Sequence, residues 1–364
     1  MTNQVKEHPT KKVSLNHRRR GSKPTPGQPF GRMVPASDKG KVLKILVEPA
    51  PVTRQDSNET QLQSMSGSRL QAIKPAYVFT PKTLLRRIWM KVSPPRTPQK
   101  IMRLPWGSEI EVDIHDTIGG EIFKQGIFDI GVSECAWRLL NPGDRVLDAG
   151  ANIGYMTSLF AAKVGQRGEV NSFEPHPVIR KRLLANINRF SHNGSAAKIV
   201  VHDCALGDVN GTATLCEDEN FASNQGGAFL ADASTAKAVA KYPVDIKLLD
   251  NVIPTGEFQL LKIDVEGHEL KVIQGAKKLL GEKRVRHVIY EDHTQGKSGI
   301  PDIFTGFGYK IFSIGHTLWG LELKDSVTDI ALDTSWESPS YLATIDPAYV
   351  NSRIGKGWQI FKGH

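Results

Sequence analysis

An acid and two glycines directly follow a short apolar run in RVLDAGANIG, residues 145–154. Asp148 comes first, and Gly150, Asn152 and Gly154 follow before a helix-like segment begins. A glycine turn between a strand and a helix lets a ligand approach the backbone and meet the N-terminus of the helix. The dinucleotide fingerprint GxGxxG lacks its middle glycine here, because Asn152 takes that place, and Asp148 would repel a pyrophosphate. The junction therefore favours a positively charged ligand.

A second acid, Glu174, ends the next predicted strand, EVNSFEP. A carboxylate at that position can accept hydrogen bonds from both hydroxyls of a ribose, and it would repel a 2′-phosphate. A cation with an unphosphorylated ribose meets both requirements. S-adenosyl-L-methionine has a sulfonium, an ammonium and such a ribose, and we therefore predict that it is the cofactor.

If the acceptor of the cofactor's methyl group is a hydroxyl, a base is needed, because the oxygen loses its proton as the new bond forms. Acidic and imidazole side chains follow the fourth and fifth strands of the alternating region, and adjacent strands would bring them to one crevice. The candidates are Asp264, Glu266 and His268 in IDVEGHE, and Glu291 and His293 in IYEDH. The last two share strand parity and are the favoured pair. No metal is predicted, although carboxylates at this density could bind a divalent ion.

Apolar strands alternate with helices after residue 101, which predicts a parallel sheet covered on both faces. Ligands of such sheets bind at the carboxyl ends of the strands. Before the alternation, IMRLPWGSEIEVDIH predicts two strands around a turn at Gly107, and two helices follow, the second beginning near Ser133. The predicted fold is therefore α/β with an N-terminal β-hairpin and helix extension. Helices are predicted over 154–164, 177–190, 268–280 and 300–306.

Several of these segments occur in a recognisable order: VLDAGANIGYMTSLFA, FEPHP, NQGGAFL, LLKIDVEGHELKVIQGA and SYLA. Together they closely resemble the FkbM family of S-adenosyl-L-methionine-dependent methyltransferases, over about residues 101–346. The resemblance implies the class I methyltransferase fold, a Rossmann-like, seven-stranded, mostly parallel sheet that has helices on both faces and ends in an antiparallel hairpin. It also implies O-methylation of a hydroxyl on a sugar, a glycolipid or another small molecule.

The resemblance also assigns residue roles. The acid, amide and glycines of residues 148–154 would form the cofactor loop, and Glu174 would hold the ribose. Asp203, near the end of the third strand, would contact the adenine. Residues 217–257 are expected to form part of the acceptor wall, because NQGGAFL supplies glycines and amides.

The charge of the chain is divided unevenly. Residues 1–100 contain 20 Lys and Arg against 5 Asp and Glu, a net charge of +15, whereas the remainder contains 27 against 33, a net charge of −6. Twelve of the 21 prolines also precede residue 100. Low apolarity with high charge is typical of a chain that cannot bury a core. We therefore expect a mostly disordered basic tail over 1–98, a catalytic domain over 99–348 and a C-terminal tail over 349–364.

One segment of the basic tail has helical periodicity. TPKTLLRRIWMKVSPP predicts an amphipathic helix over 81–92, with basic residues beside an apolar face. Such a helix can lie on an anionic membrane surface, or its apolar face can pack on the catalytic body. No apolar run is long enough to cross a membrane, and no secretory signal is recognised at the N-terminus. Three cysteines without a CxxC pair fit a reducing compartment, so we expect a cytoplasmic protein that contacts membranes peripherally.

Two other functions remain open at this point. A nucleic-acid methyltransferase would use the basic tail on phosphate, but the Asn/Asp-Pro-Pro-aromatic turn typical of amine methylation is missing after the fourth strand. A non-catalytic domain that binds S-adenosyl-L-methionine would keep the fold without the reaction. Methyl transfer to glycans or to RNA distinguishes these alternatives.

Overall fold

The computed structural model describes Pro75 and residues 97–191, 197–217, 221, 229–230, 239–294, 296–325 and 339–362. All of them lie in the compact unit Asn58–His364. The expected amphipathic helix over 81–92 and nearly all of the basic tail lie outside the described residues. None of the described helices is long and apolar enough to cross a membrane.

The N-terminal extension has the predicted hairpin and two helices. Strands β1 (Gln99–Arg103) and β2 (Glu109–Asp113) pair antiparallel around Gly107. Helix α1 (Thr117–Gln125) follows, and helix α2 (Ile130–Leu139) begins three residues before the predicted Ser133. The earlier start has a local cause, because the Asp129 carboxylate accepts a hydrogen bond from the Val132 N–H and caps the helix.

Strands and helices then alternate as predicted. The elements up to the middle of the chain are β3 (Arg145–Ala149), α3 (Tyr155–Val164), β4 (Glu169–Phe173), α4 (Pro177–Ser191), β5 (Lys198–His202), β6 (Ala205–Leu206), β7 (Gly211–Glu217), β8 (Phe229–Leu230), β9 (Ala240–Lys247) and α5 (Leu249–Val252). The later elements are β10 (Phe258–Ile263), α6 (Glu269–Gln274), α7 (Lys277–Gly281), β11 (Val285–Glu291), α8 (Ile300–Gly306), β12 (Lys310–Thr317), β13 (Gly320–Lys324), β14 (Ser340–Thr344) and α9 (Pro347–Arg353).

The main sheet has the strand order β5-β4-β3-β10-β11-β14-β12-β13. The first five strands are parallel, and β14, β12 and β13 pair antiparallel. Buried apolar clusters lie on both faces, one under α1–α3 and the other under α5–α8. This arrangement is the class I methyltransferase fold. It places the ends of β3, β4 and β10 at the central edge where a ligand binds.

The sheet has one strand more than the predicted seven in the described part of the chain. After β12 the chain reverses at Thr317–Gly320, and β13 pairs antiparallel along β12. Gly320 has a φ of 150° and bridges to Gly357, so the turn is also fixed to the C-terminal segment. The short strand β13 is the one that the sequence did not predict.

The predicted helix over 268–280 is divided into α6 and α7. Gly275 lies between them, and a Cβ on it would collide with the carbonyl oxygen of Gly207. The backbone of Gly207, which directly follows β6, therefore requires a glycine at the junction of α6 and α7. Strands β6–β9 form a second, four-stranded sheet, in the order β6-β9-β7-β8.

Residues after 348 pack on the body rather than forming a separate tail. Glu134 is fully buried in α2, and its carboxylate accepts hydrogen bonds from the Gln359 N–H (2.8 Å) and the Ile360 N–H (2.9 Å). Arg138, one turn later, donates to the Arg353 and Gly357 carbonyl oxygens. These contacts hold the C-terminal segment against α2, so the catalytic body extends to about residue 360.

Candidate active site

A cavity opens at the carboxyl ends of β3, β4 and β10. Its empty volume is about 1110 Å³, including the part open to solvent. Of the residues proposed from the sequence, Gly150, Asn152, Glu174, Asp264, Glu266 and His268 line it. Asp148, Gly154, Asp203, Glu291 and His293 are not among its lining residues. The predicted crevice is therefore present at the predicted edge, with part of the expected lining.

The glycine loop takes its shape from its neighbours. Gly150, Asn152 and Gly154 all have left-handed backbone conformations, with φ of 83°, 49° and 91°. A Cβ on Gly150 would collide with the Asp264 carbonyl oxygen, and a Cβ on Gly154 would lie 2.7 Å from Leu183 Cδ1. The two glycines are thus required by backbone conformation and packing. Gly154 does not line the cavity, and the packing of Leu183 against it accounts for this glycine without a ligand.

Asp148 lies beneath the loop and not on its surface. Its side chain is fully buried on the sheet face covered by α3, where its Oδ2 accepts a hydrogen bond from the Thr157 hydroxyl (2.6 Å). The other oxygen, Oδ1, is buried without a hydrogen-bond partner. Burial raises the pKa of this carboxyl, and the charge of Lys262 opposes the rise. Asp148 is therefore buried beneath the loop and does not line the cavity, and its contact with the cofactor stays a prediction.

Glu174 faces the cavity with both carboxylate oxygens held. Its Oε2 accepts a hydrogen bond from the Asn152 N–H and its Oε1 accepts one from the His176 N–H, each at 2.9 Å. Burial raises the pKa of this carboxyl to about 7, although both N–H donors lower it. Each carboxylate oxygen retains further acceptor capacity. The carboxylate can therefore accept from the two hydroxyls of a ribose while it remains fixed by the loop.

His176 was not identified from the sequence, although it belongs to the same FEPHP motif. The buried ring lines the cavity, and its Nδ1 accepts a hydrogen bond from the Val178 N–H at the start of α4. This leaves Nε2 to donate to Glu217 at the end of β7, 2.8 Å away. Phe221 stacks on the ring at 5.1 Å. His176 thus ties the Glu174 side of the cavity to the small sheet.

Apolar residues that follow β5 and lie on β7 line another part of the cavity. Asp203 is exposed and follows β5, while the next residues, Cys204 and Ala205, line the cavity with Leu215 of β7. Asp203 itself does not line the cavity, and its contact with the adenine stays a prediction. Among the described residues of 217–257, none lines the cavity, and most of NQGGAFL lies outside the described residues.

The principal cavity residue that was not identified from the sequence is Lys262, which lies beside Asp264. It is 7% exposed on β10, it lines the cavity, and its Nζ lies 2.9 Å from Asp264 Oδ2. Its Cα is directly opposite that of Asp148 on β3. Burial lowers the pKa of Lys262, but the Asp264 and Asp148 carboxylates outweigh burial, so the net pKa is raised. A lysine inside the apolar run LLKID was the available signal.

The favoured pair, Glu291 and His293, lies beside the cavity. The His293 Nε2 is 3.6 Å from Glu291 Oε2, and the His293 side chain is about half exposed. Burial, followed by the carboxylates of Asp264 and Asp129, raises the pKa of Glu291 to about 9 against the opposing charge of Lys262. Glu291 is therefore protonated near neutral pH, which suits a hydrogen-bond donor rather than a base.

Glu266 and His268 line the cavity on the loop after β10. Glu266 has a left-handed φ of 50°, and desolvation followed by the Asp264 and Glu269 carboxylates raises its pKa. His268 precedes α6, and its Nε2 is near Gly207 of the small sheet. Burial lowers the pKa of His268. The IDVEGHE motif thus contributes Asp264 toward Lys262 and His268 toward the small sheet.

The described residues contain no group of three or more His, Cys, Asp or Glu placed to hold a metal ion. The Asp264 carboxylate in the cavity is ion-paired with Lys262. The arrangement can hold a ribose at one end and exchange a proton at the other.

Comparison with known proteins gives matches to methyltransferases. A family model described as the methyltransferase FkbM domain matches residues 148–311. Methyltransferase sdnD of Sordaria araneosa is 31% identical over 208 residues, which cover 50% of this chain and 74% of that protein. The 31-O-demethyl-FK506 methyltransferase FkbM of Streptomyces tacrolimicus is 31% identical over 205 residues, which cover 47% of this chain and 75% of that protein.

Other matches are more partial. The antimetabolite synthetase AmbE of Pseudomonas aeruginosa is 28% identical over 214 residues, but the match spans only 10% of its length. A crystal structure of methyltransferase FkbM from Methylobacillus flagellatus is 14% identical with a TM-score of 0.36, and the match covers 76% of this chain and 57% of that one.

Proposed function

This chain belongs to the FkbM methyltransferase family, and we propose that it transfers the methyl group of S-adenosyl-L-methionine to a hydroxyl oxygen of a sugar, a glycolipid or another small molecule. S-adenosyl-L-methionine is the cofactor of this family. The observation that carries the proposal is the buried Glu174 carboxylate, which faces the cavity and is held there by the glycine loop.

The residues of the cavity fit this cofactor, which supplies a methyl group on a positively charged sulfur. Glu174 is placed to accept hydrogen bonds from ribose hydroxyls. The apolar residues Ile179, Ala205 and Leu215 also line the cavity. In the described part of the chain, Lys262 is the only lysine or arginine that lines the cavity, and it is ion-paired with Asp264. A cavity with this charge favours a cation over a polyphosphate.

We assign the base to Asp264 rather than to the Glu291–His293 pair. Asp264 lines the cavity and its carboxylate is oriented by Lys262, whereas His293 is half exposed and does not line it. Glu291 is protonated near neutral pH and cannot accept a proton in that state. In this scheme Asp264 would accept the hydroxyl proton while the oxygen takes the methyl group, the carbon–sulfur bond breaks and the sulfur leaves as a neutral thioether. The protonated Glu291 would serve as a hydrogen-bond donor beside the cavity.

Positioning supplies the rest of the rate. Methyl transfer is an in-line displacement at carbon, so the acceptor oxygen must be held opposite the departing sulfur. The loop of residues 150–152 is fixed by N–H donation from Gly150 and Ala151 to the Phe173 carbonyl oxygen. A rigid loop between Glu174 and Asp264 suits this requirement, because it fixes the distance between the cofactor end and the acceptor end.

A labelling experiment tests the proposal. The full chain is incubated with tritium-labelled S-adenosyl-L-methionine and separate glycan, organic-extractable and RNA fractions of a cell lysate, followed by mild alkali. We expect alkali-stable label in the glycan or organic fraction, because methyl ethers survive alkali whereas methyl esters are hydrolysed. The Glu174→Gln variant should give little label in the same fractions.

Three results would count against it. Label confined to the RNA fraction would favour the nucleic-acid alternative, and label released as methanol would identify carboxyl methylation. Absence of label in every fraction, together with tight cofactor binding, would leave the non-catalytic binding domain as the function.

A further inference from the structure

The hairpin of β12 and β13 projects beyond the edge of the main sheet where the cavity opens. Ile263, the last residue of β10, pairs with Tyr290 on β11. Tyr290 pairs with Tyr341 on β14, and Tyr341 pairs in turn with Ser313 on β12. Strand β12 then continues to Thr317, four residues farther. At about 3.3 Å per residue, the tip of the hairpin lies roughly 13 Å beyond the level of Ile263.

The tip of this hairpin carries an exposed tryptophan. Trp319 is 69% exposed, whereas the other tryptophans of the described residues, Trp106, Trp137 and Trp358, are 7% exposed or less. An indole ring combines a large apolar body with one polar N–H, and such rings are enriched where an apolar phase meets water. The hairpin therefore presents to solvent a side chain that suits an interface.

Hydrogen bonds hold the turn that presents Trp319. Its N–H donates to Thr317 Oγ1 (3.2 Å), and its carbonyl oxygen accepts from the Gly357 N–H (2.9 Å). The indole N–H of Trp358 donates to the Leu318 carbonyl oxygen (3.0 Å). The turn is thus fixed by its own residues and by the C-terminal segment. A contact made from a fixed turn loses less conformational entropy than one made from a flexible loop.

The C-terminal segment that holds the turn is basic. Residues 347–364 contain Arg353, Lys356 and Lys362 and no Asp or Glu. Arg353 donates to backbone carbonyl oxygens at the end of α2. Lys356, directly before Gly357, and Lys362 are exposed. Positive charge therefore lies at the surface beside the turn that carries the tryptophan.

The exposed acids of the hairpin are offset by lysines. Glu322 on β13 lies 3.9 Å from Lys324, and Asp325 lies 2.6 Å from Lys310. The net charge beside the turn is therefore positive, and it attracts an anionic surface. A lipid surface with anionic headgroups uses both features, because an aromatic ring enters the interfacial region while lysines meet the headgroups. A neutral glycan would stack on the ring without using the lysines.

We propose that Trp319 and Lys356 form a contact surface for a membrane with anionic lipids. The surface belongs to the catalytic body, so it is distinct from the contact expected of the basic tail. It goes beyond the proposed function, since it does not depend on which hydroxyl accepts the methyl group. The contact brings the edge of the sheet where the cavity opens toward the lipid.

Co-sedimentation of the full chain with vesicles of phosphatidylcholine and phosphatidylserine at low salt tests this surface. Trp319→Ala should weaken vesicle binding about tenfold to a hundredfold, the scale of burying one large apolar side chain. Lys356→Gln should weaken it about fivefold, the scale of one basic residue at an anionic surface. The basic tail is present in every variant, so its contribution cancels from each comparison.

Ile101→Ala and Lys277→Gln are the matched controls. Ile101 is 56% exposed on β1, whose hairpin packs on α4 near the opposite edge of the main sheet. Lys277 is exposed at the start of α7. Both controls should bind vesicles as the wild type does. All four variants should bind S-adenosyl-L-homocysteine with wild-type affinity, which checks that the body is folded, and Lys356→Gln decides the matter if Trp319→Ala does not fold.

Several results would overturn the inference. Vesicle binding by Trp319→Ala and Lys356→Gln that equals the wild type is one, and losses of equal size in the controls are another. If Trp319→Ala abolished a dimer in solution, or methylation of a soluble glycan, while vesicle binding stayed unchanged, the surface would belong to a second copy of the chain or to a glycan. Failure of the wild type to bind S-adenosyl-L-homocysteine would contradict the proposed function alone.

Discussion

Replacing Glu291 by Gln should make the protein more stable at alkaline pH. The folded-state pKa of Glu291 is about 9, and its ordinary value is 4.5. A carboxyl group whose pKa is raised on folding stabilises the folded state fully below the unfolded pKa, and this stabilisation is lost as the pH rises toward the folded value. Between pH 5 and pH 8 the unfolded chain ionises at this position while the folded chain does not. Glutamine has the shape of the protonated form and does not ionise.

The size of the effect follows from the pH interval. Each pH unit between the two pKa values is worth up to about 1.4 kcal/mol, so three units give at most about 4 kcal/mol. The Glu291 side chain is 20% exposed, and partial hydration reduces this to about 2–4 kcal/mol. For a body of this size, the midpoint difference between variant and wild type should grow by roughly 5–10 °C from pH 5 to pH 8.

Thermal unfolding of both proteins at pH 5, 6.5 and 8 measures this difference. Glu109→Gln is the control, because Glu109 is an exposed glutamate on β2, outside the cavity. Its melting curve should follow the wild type at each pH. Parallel pH dependence of Glu291→Gln and wild type would refute the assignment of a protonated Glu291, and with it the argument against Glu291 as the base.

Three further predictions follow from the loop, the base and the tail. Gly150→Ala should destabilise the protein by about 2–5 kcal/mol in urea unfolding, because its Cβ would meet the Asp264 carbonyl group, whereas Gly107→Ala, with open space around it, should cost only the roughly 1–2 kcal/mol of its left-handed φ. Asp264→Asn should lower turnover on an accepted substrate by about a hundredfold or more while S-adenosyl-L-homocysteine affinity stays within about threefold, and retained turnover would remove Asp264 as the base. The full chain should sediment with vesicles of anionic lipid at low salt and not at high salt, because each basic residue of the first hundred, whose net charge is +15, is worth about 1 kcal/mol at such a surface and is screened by salt; absence of sedimentation at low salt would contradict this.

Most of the sheet could be predicted because its strands carry short apolar runs and its helices carry a regular period. The parallel strands from β3 to β11 all fall within predicted segments. The boundaries that differed depend on contacts that local sequence does not contain. Helix α2 starts early because Asp129 caps it from a left-handed conformation, and the junction of α6 and α7 lies at Gly275, where the backbone of Gly207 leaves no room for a side chain.

The motifs that form the site could be predicted from the sequence, but the contacts between residues on neighbouring strands could not. Glu174 and Asp264 were found because each directly follows a strand at the ligand-binding edge. Lys262 was missed because strand order is needed to see that β10 lies beside β3, where Asp148 faces it. The burial of Asp148 has the same origin, since the covering helix α3 decides which side of the strand is closed.

The C-terminal segment shows a different limit. Trp358 and Ile360 are 2% exposed, yet they belong to no helix or strand with a readable period. The backbone of this segment is held by the Glu134 carboxylate, more than 220 positions earlier, which accepts hydrogen bonds from the Gln359 and Ile360 N–H groups. Long-range contacts of this kind depend on the whole fold, and so this segment was expected to be a separate tail.

The most direct test of the central claim is calorimetric titration of the full chain and its Glu174→Gln variant with S-adenosyl-L-homocysteine. The account predicts one binding site in the wild type and a loss of about tenfold to a hundredfold in affinity in the variant, because the amide cannot accept from both ribose hydroxyls while it keeps the Asn152 and His176 N–H bonds. Its midpoint of unfolding should remain near that of the wild type. Equal affinities in the two proteins would contradict the ribose assignment, and absence of binding in the wild type would contradict the function itself.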